Sequence, residues 1–474
     1  MAYTRRNTTD GVTIMNKDLY DNLQDGIEQF GITPQMFGAK GDGITDDTEA
    51  IQSAIDSLPN GGVLYFPLGK YIVSEELLVS HKRIHIYGKV ITDDFSYISG
   101  STLLWNGPAN SSILTSISPI SISNLIIDGN STITSNTPSI MGDENGNPTS
   151  FTVIKEGVIG IDTQGSQGLL DRVYVLRCSS IGFKVNTYNR LLNCVAKSCG
   201  FGYELTWDNQ LTQCKAVQCQ VSIHYKHSST NIVEGFRSDG CTKNVLLFEE
   251  SCVSEVVTGL VADQCGECGI NIKGTLTGCD IQGTLHRCSQ MSRNIGIDDI
   301  FNNPEVCSAV HIQSYCESLK INVYIPTFNG STSYGDGSKK LIFPKTKIFL
   351  DDGANLSNCD INIGGGISSE DENSIYNRID FTKTSSTLSR AIVISSDAWI
   401  QSAKITICTD TMIFRNTKFV KVLALNNFMP YCNEATNNIL YLQVPYIGCM
   451  AMFKNALYVS KSLTTGDWIK IIDL

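Results

Sequence analysis

Residues 37–55 read FGAKGDGITDDTEAIQSAI and decide the fold, because they join a glycine-rich turn to a well-marked helix start. Thr45 or Asp46 can cap the free N–H groups of a helix, and Glu49 follows Asp46 at the capping-box spacing. The apolar residues that follow share one helical face; they are Ile51, Ala54, Ile55 and Leu58. Residues 59–62, PNGG, end the pattern. We therefore expect one amphipathic helix over residues 45–58.

Two strand-like runs follow this helix, at residues 63–66 and 71–73. The helix should therefore lay its apolar stripe on the beginning of a core that is built from strands. A phosphate-cradling loop is the alternative interpretation of the glycines. It is disfavoured because no Gly-Lys-Ser/Thr follows them.

The same motif closely resembles the entry motif of the pectate-lyase-like right-handed β-helix superfamily, especially the branch of phage tailspikes and preneck appendages. The resemblance implies an all-β chain, a right-handed parallel β-helix (a solenoid), whose open apolar end is capped by the helix at 45–58. It identifies the fold and leaves the chemistry open.

The composition suits a strand-rich solenoid with many tight turns. Only 18% of the 474 residues are charged, and the chain has 40 glycines but 12 prolines. No apolar run is long enough to span a bilayer, and no signal peptide is visible. The net charge of −11 argues against nucleic acid as a partner, because phosphate binding needs a basic surface. It also argues mildly against a strongly anionic substrate.

A repeat is visible between residues 168 and 300. Residues 191–205, LLNCVAKSCGFGYEL, are followed 20 residues later by residues 211–225, LTQCKAVQCQVSIHY. Cys194 then aligns with Cys214, and Cys199 aligns with Cys219. A period of 20–24 residues is typical of one rung of a parallel β-coil.

This repeat explains the cysteines. Thirteen of the 17 lie between Cys178 and Cys316. Stacked at one inward position of successive rungs, they would be small buried hydrophobes, and their odd number in a long chain favours reduced thiols. Cys265 and Cys268 have the spacing of metal ligands, but no second pair accompanies them. We expect no metal site and no cofactor.

Three segments follow from these patterns. Residues 1–30 form a lead-in, either a short helix packed on the first coil or a segment that attaches the protein to a virion. Residues 31–365 form the β-helix. Residues 366–474 form a small C-terminal β domain that caps the coil, trimerises the chain or binds sugar.

Residues at one register position of a parallel coil stack about 4.8 Å apart, so the repeat converts sequence offsets into distances. Two outward columns are predicted. The first, after the second cysteine of each rung, contains Asn186, Glu204, His224, Phe248, Lys273 and Asp298. The second, just before the first cysteine, contains Asp171, Asn193, Gln213 and Glu234.

Carboxylates near these columns suggest glycoside hydrolysis, which uses two carboxyl groups about 5 Å apart for retention and about 6.5–9.5 Å apart for inversion. The catalytic candidates are Glu204, Asp208, His224, Glu234 and Asp239. A lyase would need a base, together with a cation that neutralises a uronate carboxylate. His224, Lys226, Arg237 and Lys273 are the candidates for those roles.

Substrate binding is assigned to the aromatic and cationic side chains near the same columns. These are Trp207 and Tyr225, which can stack on sugar rings, and Arg237 and Lys273. Outward polar ladders on a solenoid are usually solvated faces, and a purely binding protein would need the same aromatic residues. The calcium-binding aspartates of pectate lyases have no counterpart that we can place here, which puts pectate itself in doubt.

The resemblance therefore implies a phage tailspike or tail appendage, a homotrimer located in the virion tail and made in the bacterial host cytoplasm. Its partners would be a host surface polysaccharide, further copies of itself and a tail or baseplate protein bound through the N-terminus. The leading hypothesis is a depolymerase that acts by hydrolysis or elimination. The alternatives are a receptor-binding adhesin without catalysis and a bacterial pectin-type lyase.

Overall fold

A computed structural model describes residues 31–364, except 81, 93–97, 134–151, 166, 292–301, 326–332, 335–338, 341–343, 345 and 352. Beyond residue 364 it describes the backbone of seven strands, the last of which ends at Asp473. The predicted virion-attachment segment, residues 1–30, lies outside the described residues.

The chain winds into a coil whose rungs have three strands. In one rung, the strands Arg190–Leu192, Val195–Lys197 and Phe201–Trp207 follow each other around a triangle. Each strand pairs in parallel with its counterpart in the next rung. The rungs that begin at Arg190, Gln210 and Ile232 are 20, 22 and 24 residues long, as the repeat predicts. We number the three sides of the triangle in chain order as faces 1, 2 and 3.

Face 1 contains, in chain order, Val63–Tyr65, Ile84–Tyr87, Ile120–Ser123, Leu169–Asp171, Arg190–Leu192, Gln210–Thr212, Ile232–Glu234, the first parts of Val256–Cys265 and Asp280–His286, Lys320–Tyr324, Cys359–Gly364 and Ala403–Ile407. Face 2 contains Asp42–Asp46, Gly69–Val73, Ile98–Trp105, Ile126–Asp128, Tyr174–Leu176, Val195–Lys197, Lys215–Val217, Arg237–Cys241 and the second parts of Val256–Cys265 and Asp280–His286.

Face 3 contains Leu77–Val79, Ser112–Ser116, Ile159–Thr163, Ile181–Val185, Phe201–Trp207, Val221–Ser229, Leu246–Phe248, Cys252–Val253, Ile270–Ile272, Leu276–Thr277, Ser308–Ile312, Tyr315–Glu317, Thr346–Leu350, Asn355–Ser357, Arg390–Ile394, Trp399–Ile400 and Met412–Phe414. Short antiparallel strands lie at Val90–Thr92, Thr132–Ile133, Thr152–Val153, Ser333–Tyr334 and Lys339–Lys340. A 3₁₀ helix spans Pro34–Phe37 and a helical turn spans Pro304–Cys307.

Each corner of the triangle is turned by a residue in the left-handed region of backbone conformation, which bends the chain sharply in one step. Corner 1, between faces 1 and 2, contains Asn124, Arg172, Asn193, Gln213, Gly235 and Gly259. Corner 2, between faces 2 and 3, contains Arg177, Ser198, Gln218, Gly240, Gln264 and Arg287. Corner 3 closes the rung and contains Gln167, Tyr188, Asp208, Thr230, Ser254, Gly278, Ser318 and Asn358.

The cap at the start of the coil is an α-helix over Thr48–Ser57. It buries the predicted apolar stripe, Ile51, Ala54, Ile55 and Leu58, against the first rungs. The helix is shorter at its start than the predicted 45–58, because Asp42–Asp46 pairs with Gly69–Val73 as a strand.

The predicted capping box is replaced by a denser network at the start of this helix. The Asp46 carboxylate accepts from the Thr48 backbone N–H at 3.0 Å. The buried Asp47 carboxylate accepts from the N–H groups of Lys40 and Gly41 at 2.6 and 3.0 Å. Gly41 is required here, since its φ is +62° and a Cβ would lie 2.9 Å from the Tyr71 ring. The carboxylates thus stabilise the glycine turn as well as the helix.

The cysteine ladder is confirmed. The residue after each left-handed residue of corner 2 points inward, and six buried cysteines stack there: Cys178, Cys199, Cys219, Cys241, Cys265 and Cys288. Cys194 and Cys214 stack in the same way inside corner 1. All described cysteines are free thiols. Stacked aromatic rings also fill the core, and the ring centroids of Phe183 and Tyr203 are 4.9 Å apart.

The coil extends beyond residue 365, where the sequence places its end. Arg390–Ile394 pairs in parallel with Thr346–Leu350, and Ala403–Ile407 pairs in parallel with Cys359–Gly364. The separate C-terminal β unit is an antiparallel sheet of Met450–Phe453, Ala456–Ser460 and Trp468–Asp473. Its predicted roles in capping, trimerisation or sugar binding stay predictions.

Candidate functional site

The coil distributes the predicted catalytic residues over three faces and one corner. Glu204 and His224 lie on face 3, Asp208 on corner 3, Glu234 on face 1 and Asp239 on face 2. The prediction that they surround one site is therefore wrong. Residues that are close in sequence separate because each corner turns the chain within one residue, whereas residues one whole rung apart come together.

The predicted columns also need correction. On face 3, Glu204 and His224 do pair, but their neighbours in the column are Lys184, Leu247 and Asn271. Asn186, Phe248 and Lys273 are not in this column, and Asp298 lies outside the described residues. The second predicted column mixes two register positions, since Asp171 and Glu234 lie in strands while Asn193 and Gln213 turn corner 1. The predicted alignment of the repeat was wrong because the upper rungs contain insertions and because these corner residues do not lie in strands.

His224 is buried between two carboxylates. Its Nδ1 lies 3.0 Å from Oε2 of Glu204, and its Nε2 lies 2.8 Å from Oε2 of Glu249. The ring of Phe201 covers it at a centroid distance of 4.2 Å. With 2% of its side chain exposed and both ring nitrogens bound, His224 has no atom available to a substrate. This argues for a structural hydrogen-bonded ladder on face 3.

The structure separates two of the predicted substrate contacts, Tyr225 and Lys273. Tyr225 points into the core and stacks on Phe248 at 4.4 Å, so it cannot contact a saccharide. This prediction was wrong because one residue separates the inward and outward sides of a strand. Lys273 does lie at the surface, where its Nζ binds Oε1 of Glu305 at 3.1 Å.

Face 2 brings together a pair of carboxyl groups whose register fits the spacing of a hydrolytic site. Asp239 and Asp263 are register partners on neighbouring rungs. Both are partly exposed, at 36% and 26% of their side chains. Register partners in a parallel sheet lie about 4.8 Å apart, which is close to the carboxyl separation of about 5–5.5 Å in retaining glycosidases.

The surroundings of these two carboxyl groups differ. The guanidinium of Arg287 binds Asp263, with Nε donating to Oδ1 at 2.8 Å and a second nitrogen contacting both oxygens. Burial and the adjacent charge of Asp263 raise the pKa of Asp239, and Arg237 and Arg287 oppose that rise. Arg237 keeps its Nη2 3.9 Å from Oδ2 of Asp239. Such a difference between two close carboxyls favours one as acid and the other as anion.

His286 completes this cluster as the register partner of Asp263 on the next rung. Burial lowers the pKa of its imidazole, Arg287 lowers it further, and Asp263 acts in the opposite direction. The imidazole is therefore neutral at pH 7. We call Arg237, Asp239, Asp263, His286 and Arg287 the face 2 cluster.

The sequence contained a signal for this cluster. Asp239, Asp263 and His286 each stand two residues before a cysteine of the corner 2 ladder, namely Cys241, Cys265 and Cys288. The predicted columns used other offsets from the cysteines, so Asp239 and Arg237 were named without Asp263, His286 and Arg287.

A second polar feature, not predicted, lies inside corner 3. Buried Asn189, Asn209 and Asn231 form a ladder, in which each backbone N–H donates to the side-chain oxygen of the next rung's residue. The ladder ends at buried Glu255, which accepts from the backbone N–H and Nδ2 of Asn231 at 3.1 and 3.2 Å. Burial raises the pKa of Glu255 to about 7. The spacing of the three asparagines in the sequence could have revealed the ladder.

Above this ladder, the outer side of corner 3 is an open groove with a volume of about 680 Å³. It is lined by Gln167, Gly168, Leu169, Tyr188, Arg190, Asp208, Asn209, Gln210, Thr230 and Ile232. Of the predicted pair Trp207 and Asp208, Asp208 lines this groove, on the opposite side of the coil from the face 2 cluster. Trp207 precedes it in the chain, and its ring lies edge-on to His227 at a centroid distance of 6.4 Å.

No cluster of three His, Cys, Asp or Glu side chains suited to a metal ion occurs in the part of the chain that the structure describes. Within that part, none of the helices has the length and apolar character needed to cross a membrane.

Comparison with known proteins shows which families and proteins this chain resembles. Residues 35–245 match the family described as "Rhamnogalacturonase A/epimerase, pectate lyase-like". The chain is 35% identical over 117 residues to the preneck appendage protein of Bacillus phage PZA, which covers 24% of this chain and 13% of that protein. It is 38% identical over 76 residues to "Depolymerase 1, capsule K30/K69-specific" of Klebsiella phage K5-2, covering 16% of this chain and 9% of that protein.

These alignments span only a small part of each phage protein. Among solved structures, ORF18 of Geobacillus virus E2 superposes with a TM-score of 0.38 and 14% identity, covering 98% of this chain and 81% of that one. The match over 35–245 includes the cap, the first four cysteines of the corner 2 ladder and Asp239. With its capped coil of parallel three-stranded rungs, the chain has the right-handed β-helix fold, and its residues 35–245 match the pectate-lyase-like family.

Proposed function

We propose that this chain binds a bacterial surface polysaccharide along its coil and cleaves it at the face 2 cluster. The observation that carries the proposal is the pairing of Asp239 with Asp263 on neighbouring rungs, where one carboxyl has a raised pKa and the other is bound by Arg287.

The face 2 cluster is best suited to hydrolysis. Asp239 donates its proton to the glycosidic oxygen as the bond between that oxygen and the anomeric carbon breaks. The Asp263 carboxylate attacks the anomeric carbon and forms a covalent bond to it. A water molecule then releases the sugar and returns a proton to Asp239. Arg287 donates to the Asp263 carboxylate and holds it in position beside Asp239.

Elimination is a second candidate reaction, favoured by one specific observation. The neutral His286 lies beside Asp263 and can act as a base that removes the proton next to a uronate carboxylate. Arg237, which is about half-exposed, would neutralise that carboxylate, and Asp239 would protonate the leaving glycosidic oxygen. The product would carry a carbon–carbon double bond.

The relatives support a role in a phage tail. A preneck appendage protein and a capsule depolymerase each share a segment with this chain. They support the proposal that the protein lies in the virion tail, and we further propose that it is a homotrimer attached through its N-terminal segment. A receptor-binding adhesin without catalysis is the alternative, for which the aromatic groove on corner 3 is sufficient.

The test is incubation of the purified chain with capsule, teichoic acid and alginate, following reducing ends and the ultraviolet absorbance of unsaturated uronate together. New reducing ends without absorbance indicate hydrolysis, and both signals together indicate elimination. Retention of the glycan with unchanged chain length would contradict catalysis and leave the adhesin.

A further inference from the structure

We propose that the groove on corner 3 is a second saccharide-binding site, separate from the cleavage site and without catalytic function. The proposal rests on the proposed function in one respect, since its ligand is the same polysaccharide. Face 1 and corner 1 separate the groove from face 2 along one side of the coil, and face 3 separates them along the other.

Exposed aromatic rings provide the first argument. Tyr188, which lines the groove, is 57% exposed. Trp207 is 47% exposed and borders the groove, because its carbonyl accepts from the Tyr188 backbone N–H at 3.2 Å. Leu169 and Ile232 in the floor are also exposed. Large apolar side chains gathered on an open surface mark binding sites, and aromatic faces stack on the apolar face of a sugar ring.

Hydrogen-bonding groups provide the second argument. Arg190, Asp208 and Gln210 line the same groove, so the Tyr188 ring is flanked by donors and acceptors for hydroxyl groups. Asp208 is the one carboxylate among the described residues that line the groove, and the Thr230 hydroxyl binds it. A single carboxylate does not supply the acid and base pair of a glycosidase, which favours binding over cleavage.

The geometry of the corner fits a chain of sugars. The outer wall is formed by corner residues of four successive rungs: Gln167, Tyr188, Asp208 and Thr230. They repeat at about 4.8 Å, a spacing close to the length of one monosaccharide unit, so that each rung can contact one sugar. The asparagine ladder beneath fixes the backbone of this wall by donating from one rung to the next, so the groove is pre-organised and binding orders little of the protein.

The experiment compares Trp207→Ala, Tyr188→Ala and the double variant with Phe37→Ala, an exposed aromatic at the cap that serves as the matched control. Retention is measured by affinity electrophoresis in gels containing K30 capsule, teichoic acid or alginate. Cleavage is measured on short oligosaccharides from the same glycans. Circular dichroism melting establishes that each variant is folded.

We expect at least tenfold weaker retention of the double variant, unchanged retention of Phe37→Ala and cleavage of short oligosaccharides within twofold of the parent. Equal retention of all variants, or no retention of the parent by any of the three glycans, would overturn the proposal. Unchanged retention with a lower mass in light scattering would overturn it in favour of a contact between copies of this chain.

Asp239→Asn separates this proposal from the proposed function. If this variant cleaves like the parent while Trp207→Ala loses retention, the cleavage site is wrong and the groove stands. If Asp239→Asn loses cleavage and Trp207→Ala keeps full retention, the groove proposal fails and the cleavage site stands.

Discussion

Asp239 and Asp263 are register partners on neighbouring rungs of face 2, and Arg287 binds the second of them. A parallel coil places residues that are 24 positions apart in the sequence at the distance of one hydrogen-bonded strand. Two carboxylates at this distance cannot both be ionised without cost, so one of them retains a proton to higher pH. This relationship gives the coil one acid and one anion on the same open face.

The charge of Arg287 should set the pH range of activity. Arg287 lowers the pKa of Asp239, so Arg287→Gln should raise that pKa further. Because Asp239 acts while protonated, the rate falls as pH rises through its pKa, and the alkaline limb of kcat/KM should move to higher pH in this variant. Rate profiles on a sensitive glycan measure the shift.

Arg287→Lys is the control, since it keeps the positive charge and loses the two-point contact. Its alkaline limb should lie closer to that of the parent, although its rate is lower. An alkaline limb of Arg287→Gln that stays in place, or that moves to lower pH, would show that Asp239 is not the acid.

Glu255 should make the fold less stable as pH rises. Its folded pKa of about 7 lies above the ordinary value of 4.5, so the folded state binds more protons than the unfolded state between these values. The contribution of Glu255 to the free energy of unfolding therefore falls as pH rises through this window, by about 3 kcal/mol, and is constant above it.

Glu255→Gln should remove most of that fall, which denaturant unfolding at several pH values measures. A slope of similar size should remain, because burial also raises the pKa of Glu267 to about 7. Glu317→Gln, at an exposed carboxylate, is the control. The same slope in Glu255→Gln and in the parent would contradict the raised pKa.

The corner 2 thiols should be inert in the folded protein. Burial raises the pKa of Cys199, Cys219, Cys241 and Cys265 well above the ordinary value, and the thiolate is the reactive form. Alkylation with iodoacetamide, mapped by mass spectrometry, should label these residues only after denaturation. Rapid labelling of any of them in the folded chain would contradict the ladder.

The sequence was sufficient for the fold because the repeat and the entry motif are local signals. Ile51, Ala54 and Ile55 had to face a core, and Cys194 and Cys214 had to stack once the 20-residue period was recognised. These statements need only the spacing of apolar residues, which a parallel coil preserves from rung to rung.

The site could be predicted only in part, because each corner turns the chain at one left-handed residue that composition does not reveal. Asp208 turns a corner although it is neither glycine nor asparagine. Tyr225 and His224 are neighbours in the sequence, and the Tyr225 side chain points into the core whereas that of His224 lies on the outer side of the strand. Glu249, which binds His224, lies in a rung that is longer than the repeat. The repeat alone does not determine the register of that rung.

The central claim is tested most directly by the cleavage rates of Asp239→Asn and Asp263→Asn, measured as reducing ends released from a polysaccharide that the parent degrades. Both variants should stay folded and bind the glycan, with rates lower by about 10²–10⁴-fold, while Glu317→Gln cleaves like the parent. A parent rate in either face 2 variant would contradict the assignment of catalysis to this carboxyl pair.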